Sequence, residues 1–508
     1  MKTKRFGGQT AGASGSRPML DFDPATQRVP RGHFIDGELV ADKSRLAAVR
    51  RPCDGEIYAD IPIADQSTVD HAVANARAAF RGSGWARQAP RERARVLRRW
   101  ADLIESNRDE LARLEALGST RLISQATAWD LPYLAETIRF FGEFADKHGG
   151  EVAATADSRL GFTVAEPFGV VAAIAPWNFP LVMAGWKLAP ALAAGNAVIL
   201  KPSELTPFSV LRLAELAIEA GLPAGQLNVI QGDGALTGDA LCRHPDVDKI
   251  TFTGSTATGA AIMAASAASG LKPMTLELGG KCPQLVFADA DLELATRCVA
   301  NAILSNAGQV CIAGSRLIVQ RRRHDEMVDR IAAQMSQVTT GPTWLEASGF
   351  SPIVSRNQLN RIDEIVKSTI RQGAEALIGA REMDSQGDGT FYAPTILAAV
   401  DGKMDAIREE VFGPVLTVQS FDDEEEGLAL ADHPTYGLAA GVYTRDISRA
   451  LRAIREIEAG TIWINRYGRS EDFIIPTGGY KHSGIGKDLG HQAFEANQRL
   501  KSVLIDVG

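Results

Sequence analysis

Short apolar runs recurring between helical stretches limit most strongly how this chain can fold. Residues 170–175, 197–200, 227–230 and 250–252 are four such runs. Strands too apolar to face water on either side, separated by helices, predict a parallel sheet covered on both faces. A second series begins after Gly280. There 284–287, 317–320, 415–421, 441–443 and 461–465 read as strands, with helical patterns at 292–305, 357–371 and 448–457. The expected fold class is therefore α/β, with two parallel-sheet domains. Upstream, 91–117 reads as one long amphipathic helix, and a second helix carrying Tyr133, Ile138, Phe140, Phe141 and Phe144 follows Pro132. Thr206-Pro207 reads as N-cap and first-turn proline of another helix, closed by Gly221 and Pro223.

Parallel sheets of this kind bind ligands beyond the carboxyl ends of their strands. The positions to watch are Trp177-Asn178, Lys201–Glu204, Gly254-Ser255 and Glu277–Gly280. In Lys201-Pro202-Ser203-Glu204 a cation and a carboxylate stand where ribose hydroxyls would sit. A carboxylate there also repels a 2′-phosphate, which favours NAD over NADP. Taken alone, the segment reads equally as an exposed turn. Gly254–Gly259 enters a helix with glycine and hydroxyls, a fair phosphate seat. In Gly232-Asp233-Gly234-Ala235-Leu236-Thr237-Gly238 the third glycine is one residue too late for the dinucleotide fingerprint.

Cys311 lies in Asn306-Ala307-Gly308-Gln309-Val310-Cys311-Ile312-Ala313, between apolar neighbours and after a glycine that permits close backbone approach. Read alone it is either a core thiol or a nucleophile. The chain has 508 residues and a net charge of −8 with no basic block, which excludes nucleic acid or an anionic membrane as the main partner. No apolar run is long enough to span a bilayer. Five cysteines without a Cys-x-x-Cys pair fit a reducing, cytoplasmic setting and offer no metal site. The acid-free first twenty residues lack a secretory apolar core and an amphipathic stripe, so 1–25 is expected to be a disordered tail.

Seven segments in order then carry a resemblance. They are Pro176-Trp177-Asn178-Phe179-Pro180, Lys201-Pro202-Ser203-Glu204, Phe252-Thr253-Gly254-Ser255, Leu276–Lys281, Gly308-Gln309-Val310-Cys311, Glu409–Pro414 and Gly478–Gly484. Together they resemble the motif series of the NAD(P)-dependent aldehyde dehydrogenase superfamily, of the hydrolytic, non-acylating type. The resemblance spans nearly the whole chain.

It implies that Cys311 is the nucleophile, Glu277 the general base, Asn178 an oxyanion donor and Lys187 a supporting group. In close relatives the partner of that lysine is a glutamate. Here Asp488 stands in its place and must reach one methylene further. A CoA-acylating relative would lack a base matching Glu277. For NAD, the resemblance implies contacts from Trp177, Lys201, Glu204, Gly254, Ser255, Glu409 and Phe412. For the substrate tunnel it implies Tyr133, Phe179, Met183, Trp186, Val310, Ile312 and Phe473, within a wall that includes the 466–476 loop. These aromatics suit a medium-sized aldehyde or a cationic amino-aldehyde, with Glu471 and Asp472 as candidates for added attraction. Implied domains are a Rossmann-like NAD-binding domain of 26–148 and 168–279, a catalytic domain of 280–480, and a small β oligomerisation element of 149–167 and 481–508. A homodimer or homotetramer follows.

Overall fold

Val170–Ile174, Ala197–Lys201, Leu227–Val229 and Lys249–Thr253 are buried along their whole length. Strands of this kind need neighbours on both edges and cover on both faces. In the computed structural model, which describes residues 20–42, 45–385 and 387–508, they form the middle of an eight-stranded sheet. From Val170–Ile174 the chain moves outward through Ala197–Lys201 to Leu227–Val229, then returns to the other side with Lys249–Thr253 and Met274–Glu277. All these pairings are parallel. The order therefore reverses between Val170–Ile174 and Lys249–Thr253, which opens a crevice at their carboxyl ends.

A second sheet of seven strands holds Pro283–Val286, Arg316–Gln320, Val415–Phe421, Ala439–Tyr443, Thr461–Ile464 and Thr395–Ala398 in parallel. Glu375–Ile378 closes one edge antiparallel. A third sheet pairs Gln498–Asp506 with Arg159–Pro167 over nine residues and adds Val152–Ala153.

Several local expectations are corrected. The 91–117 helix is two helices, Pro90–Ser106 and Arg108–Gly118. Asn107 separates them, its side-chain amide returning to the Leu103 carbonyl (2.7 Å), the local competition that makes asparagine a helix breaker. The helix placed at Thr206 begins at Ser209. Thr206 N–H is still in a turn with Ser203, and Pro207 C=O accepts from Gln231. Gly484–Ile485, assigned from sequence to the oligomerisation element, instead pairs antiparallel with Met274–Glu277 and covers that strand's free edge. Residues 20–25, expected in the tail, are instead placed against the folded chain. Leu20 and Phe22 pack on the first core, and the Arg113 guanidinium lies 5.7 Å from the Phe22 ring. Residues 1–19 of that tail lie outside the described residues.

Candidate active site

Cys311 is positioned by an unusual turn. After the helix Leu292–Leu304 the chain passes through Asn306, Ala307 and Gly308 with φ of 48°, 51° and 71°. Two non-glycine residues in the left-handed region store about 1–3 kcal/mol each, so the surroundings must hold them there. They do so through amide side chains. Asn306 donates to the Asn178 carbonyl (3.0 Å) and accepts from Thr120 (2.7 Å). Gln309 donates to Asn306 and Pro352 carbonyls (2.9 Å each) and accepts from Val354 N–H (2.9 Å). At Gly308 a Cβ would lie 2.1 Å from the Gly413 carbonyl oxygen, so only glycine fits.

The turn delivers Cys311 to the wall of a cavity of about 430 Å³. Asn178 shares that wall. Its Nδ2 donates one hydrogen to the Gln309 carbonyl (3.0 Å), and an amide nitrogen carries two. Burial pushes the Cys311 thiol up to about 12, and the nearby Arg469 guanidinium pulls it down.

Glu277 ends its strand buried, and its Oε1 finds no hydrogen-bond partner. Burial raises its pKa well above the carboxylate range. Asp488 raises it further, and Lys187 and Arg469 oppose. Its carboxylate does not line the Cys311 cavity. It lies against the loop, where a Cβ on Gly478 would be 2.7 Å from Oε1. Lys187 Nζ meets Asp488 Oδ2 at 2.5 Å, both side chains sealed from solvent. The shorter acid reaches because Asp488 and Thr477 exchange backbone hydrogen bonds (2.7 and 2.9 Å), which draws that segment inward.

Phe179, Met183, Trp186, Val310 and Ile312 line the cavity. Tyr133 and Phe473, also expected there, do not. They pack on each other one layer behind (ring centroids 4.9 Å), while Trp129 stacks on Tyr133 (4.8 Å) and takes the wall position. Tyr133 faces inward from its helix into the core, so burial places it, not ligand access. The 466–476 loop contributes Tyr467, Gly468 and Arg469; Glu471 and Asp472 are not on the wall. Arg121, Arg297 and Cys298 line the cavity without having been singled out from sequence. Arg121 lies in the loop after the helix Arg108–Gly118 and Arg297 in the helix Leu292–Leu304, and no local pattern marks either as facing a cavity.

A second cavity of about 700 Å³ occupies the crevice where the strand order reverses. Trp177, Lys201, Glu204, Gly254 and Ser255 all line it. Lys201 Nζ lies 3.6 Å from Glu204 Oε2 and donates to the Pro202 carbonyl (2.9 Å). Ser255 caps the helix Thr256–Ala268 by accepting from Thr258 N–H, and Ala257 and Thr258 line the cavity at that helix's positive end. Phe412 stands edge-on to Trp177 (5.2 Å) at the cavity's Trp177 end. A carboxylate and a lysine at one strand end, and a helix N-terminus at another, are the donor set an adenine dinucleotide needs. Glu409 is a correction. It is exposed, pairs with Arg361 (3.6 Å) and lines a different cavity. Glu410 is the less exposed of the two: it accepts from Gly280 N–H (2.9 Å), and loss of solvation raises it to about 7. Successive side chains on extended backbone point oppositely, so a one-residue shift in reading the Glu-Glu pair reverses the assignment.

Among the described residues no cluster of metal-ligating side chains occurs, and no helix is long and apolar enough to cross a membrane.

The sequence model of the Aldehyde dehydrogenase family matches residues 39–503. The chain belongs to that family. It is 39% identical to a betaine aldehyde dehydrogenase of Vibrio vulnificus, over 94% of this chain and 98% of that protein. It is 41% identical to the solved indole-3-acetaldehyde dehydrogenase of P. syringae in complex with NAD+ and IAA. That likeness has a TM-score of 0.93 and covers 95% and 98% of the two chains. It is also 38% identical, over 95% of its length, to the mouse mitochondrial 10-formyltetrahydrofolate dehydrogenase, of which it spans 52%. The chain thus spans about half the length of some curated relatives it matches. The aldehyde dehydrogenase fold accounts for the two parallel α/β sheets and the three-stranded sheet beside them.

Proposed function

We propose that the chain oxidises a medium-sized aldehyde to its carboxylic acid, with NAD as oxidant and Cys311 as the covalent centre. The observation that carries this reading is Cys311 and Asn178 on one wall of the same cavity. The Cys311 thiol gives its proton up to solvent; the thiolate sulfur attacks the carbonyl carbon, a C–S bond forms as the C=O π bond breaks, and the carbonyl oxygen becomes an oxyanion that accepts from Asn178 Nδ2. Bound in the crevice, NAD supplies the acceptor for the aldehyde's hydride, and Cys311 is left as a thioester. Glu277 takes a proton from water as the water oxygen attacks. The C–S bond then breaks, releasing the acid and the thiolate. The reading requires Glu277 to turn from Gly478 toward the thioester. Its raised pKa makes it a stronger base than an exposed carboxylate.

Lys201 and Glu204 would hold the adenosine ribose, Ser255 and its helix end the pyrophosphate, and Trp177, Glu410 and Phe412 the nicotinamide end. Glu204 favours NAD over NADP. The relatives' printed substrates include betaine aldehyde and indole-3-acetaldehyde, which supports a medium-sized aldehyde, an amino-aldehyde included. Exposed Val152, Leu160, Leu500 and Leu504 on the three-stranded sheet support a homodimer or homotetramer joined there. Free cysteines throughout suit the cytoplasm.

The test is Glu277→Gln. It should give one equivalent of NADH in a rapid burst and then stall at the thioester. A full steady-state rate without a burst would remove Glu277 from this role.

A further inference from the structure

Among the described residues, the ionic side chains on the wall of the Cys311 cavity are Arg121, Arg297 and Arg469, and no carboxylate lines it. Arg121 is buried (3% exposed) and grips Asp130 with Nε (2.7 Å) and Nη2 (2.9 Å). Its Nη1 is sealed from water and has no partner among the described residues. A guanidinium donates through all three nitrogens, and a buried donor left unpaired is costly. Arg469 donates to Thr477 Oγ1 and has no ion-pair partner among the described residues. Arg297 is exposed, 4.0 Å from Glu293. Phe179 and Trp186 each already hold a guanidinium against one ring face. Arg121 lies 4.3 Å from one ring centroid and Arg469 4.7 Å from the other.

Resting on the aldehyde-oxidising reading above, we infer that the substrate is an aldehyde bearing a carboxylate, held by Arg121 and Arg469. Planar guanidinium donors match a carboxylate in geometry and charge. Arg121 brings a second guanidinium to the same wall. Arg469 adds a charge with no ion-pair partner among the described residues, and Arg297 draws the anion toward the wall. The aldehyde end then lies toward Cys311 and Asn178 on the same wall.

The experiment is a kinetic comparison with NAD, using an ω-carboxy aldehyde, its methyl ester and an ω-amino aldehyde of equal chain length. Hydrogen bonds to a charged group are worth roughly 10- to 100-fold, so kcat/KM should favour the carboxylate over its ester by that margin, mainly through KM. In Arg469→Gln the carboxylate-to-ester ratio should fall at least severalfold. Taking the ratio cancels any effect on the thiol shared by both substrates. Arg121→Gln alone strands buried Asp130, so Arg121→Gln is paired with Asp130→Asn, and the same ratio is read. Equal or better turnover of the ester or the amino aldehyde overturns the inference and leaves aldehyde oxidation standing. An unchanged ratio in both variants also overturns it. No NADH from any of the three overturns both readings.

Discussion

Lys187 Nζ and Asp488 Oδ2 meet at 2.5 Å in a site neither shares with solvent. Breaking a buried ion pair by removing one partner costs about 3–5 kcal/mol. Asp488→Asn should therefore lower the melting temperature markedly in calorimetry. It also removes a negative charge that raises Glu277 and leaves Lys187, which lowers it. A base works unprotonated, so activity rises with pH through the Glu277 pKa. The acid limb of the kcat profile should move to lower pH in Asp488→Asn; a fixed limb would exclude Glu277 as the titrating base.

Burial holds the Cys311 thiol near 12 in the free protein. The thiolate is the reactive form, and its fraction grows about tenfold per pH unit below the pKa. Alkylation of Cys311 by iodoacetamide, followed by peptide mass spectrometry, should be slow at neutral pH. It should climb steadily to at least pH 10. A plateau near pH 7 would show that the thiol is ionised at rest.

Glu204 stands beside Lys201 where the ribose of NAD is proposed to lie. Charges a few ångströms apart in water repel by about 1 kcal/mol per pair, and a 2′-phosphate carries up to two. Glu204→Gln should shift the kcat/KM ratio of NAD to NADP toward NADP by on the order of tenfold. An unchanged ratio would assign the preference to another residue.

Gly308→Ala places a methyl group 2.1 Å from the Gly413 oxygen, at a φ of 71°. Neither backbone gives way cheaply. The variant should lose about 3 kcal/mol or more, since overpacking and left-handed strain add. Any folded protein recovered should show NADH formation reduced far more than NAD binding, because the displaced turn carries Cys311. Parallel measurement of both by titration and turnover checks this.

The order of apolar runs determined the two parallel sheets, because strands buried on both faces have no other stable arrangement. The same reading put Trp177, Lys201, Glu204, Gly254 and Ser255 at strand ends, and all five line one crevice. The motif resemblance marked Cys311 and Asn178, which lie 133 positions apart in sequence yet share one wall. What sequence alone left undecided was which way side chains face where backbone changes direction. Glu409 and Glu410 differ by one step on extended chain, and only packing against Gly280 selects between them. Tyr133 and Trp129 stand one turn apart on the same helical face and stack, but only Trp129 reaches the cavity wall. Arg121 and Arg469 are 348 residues apart. Their meeting at one cavity is a property of the folded chain, because local spacing carries no information about contacts made across domains.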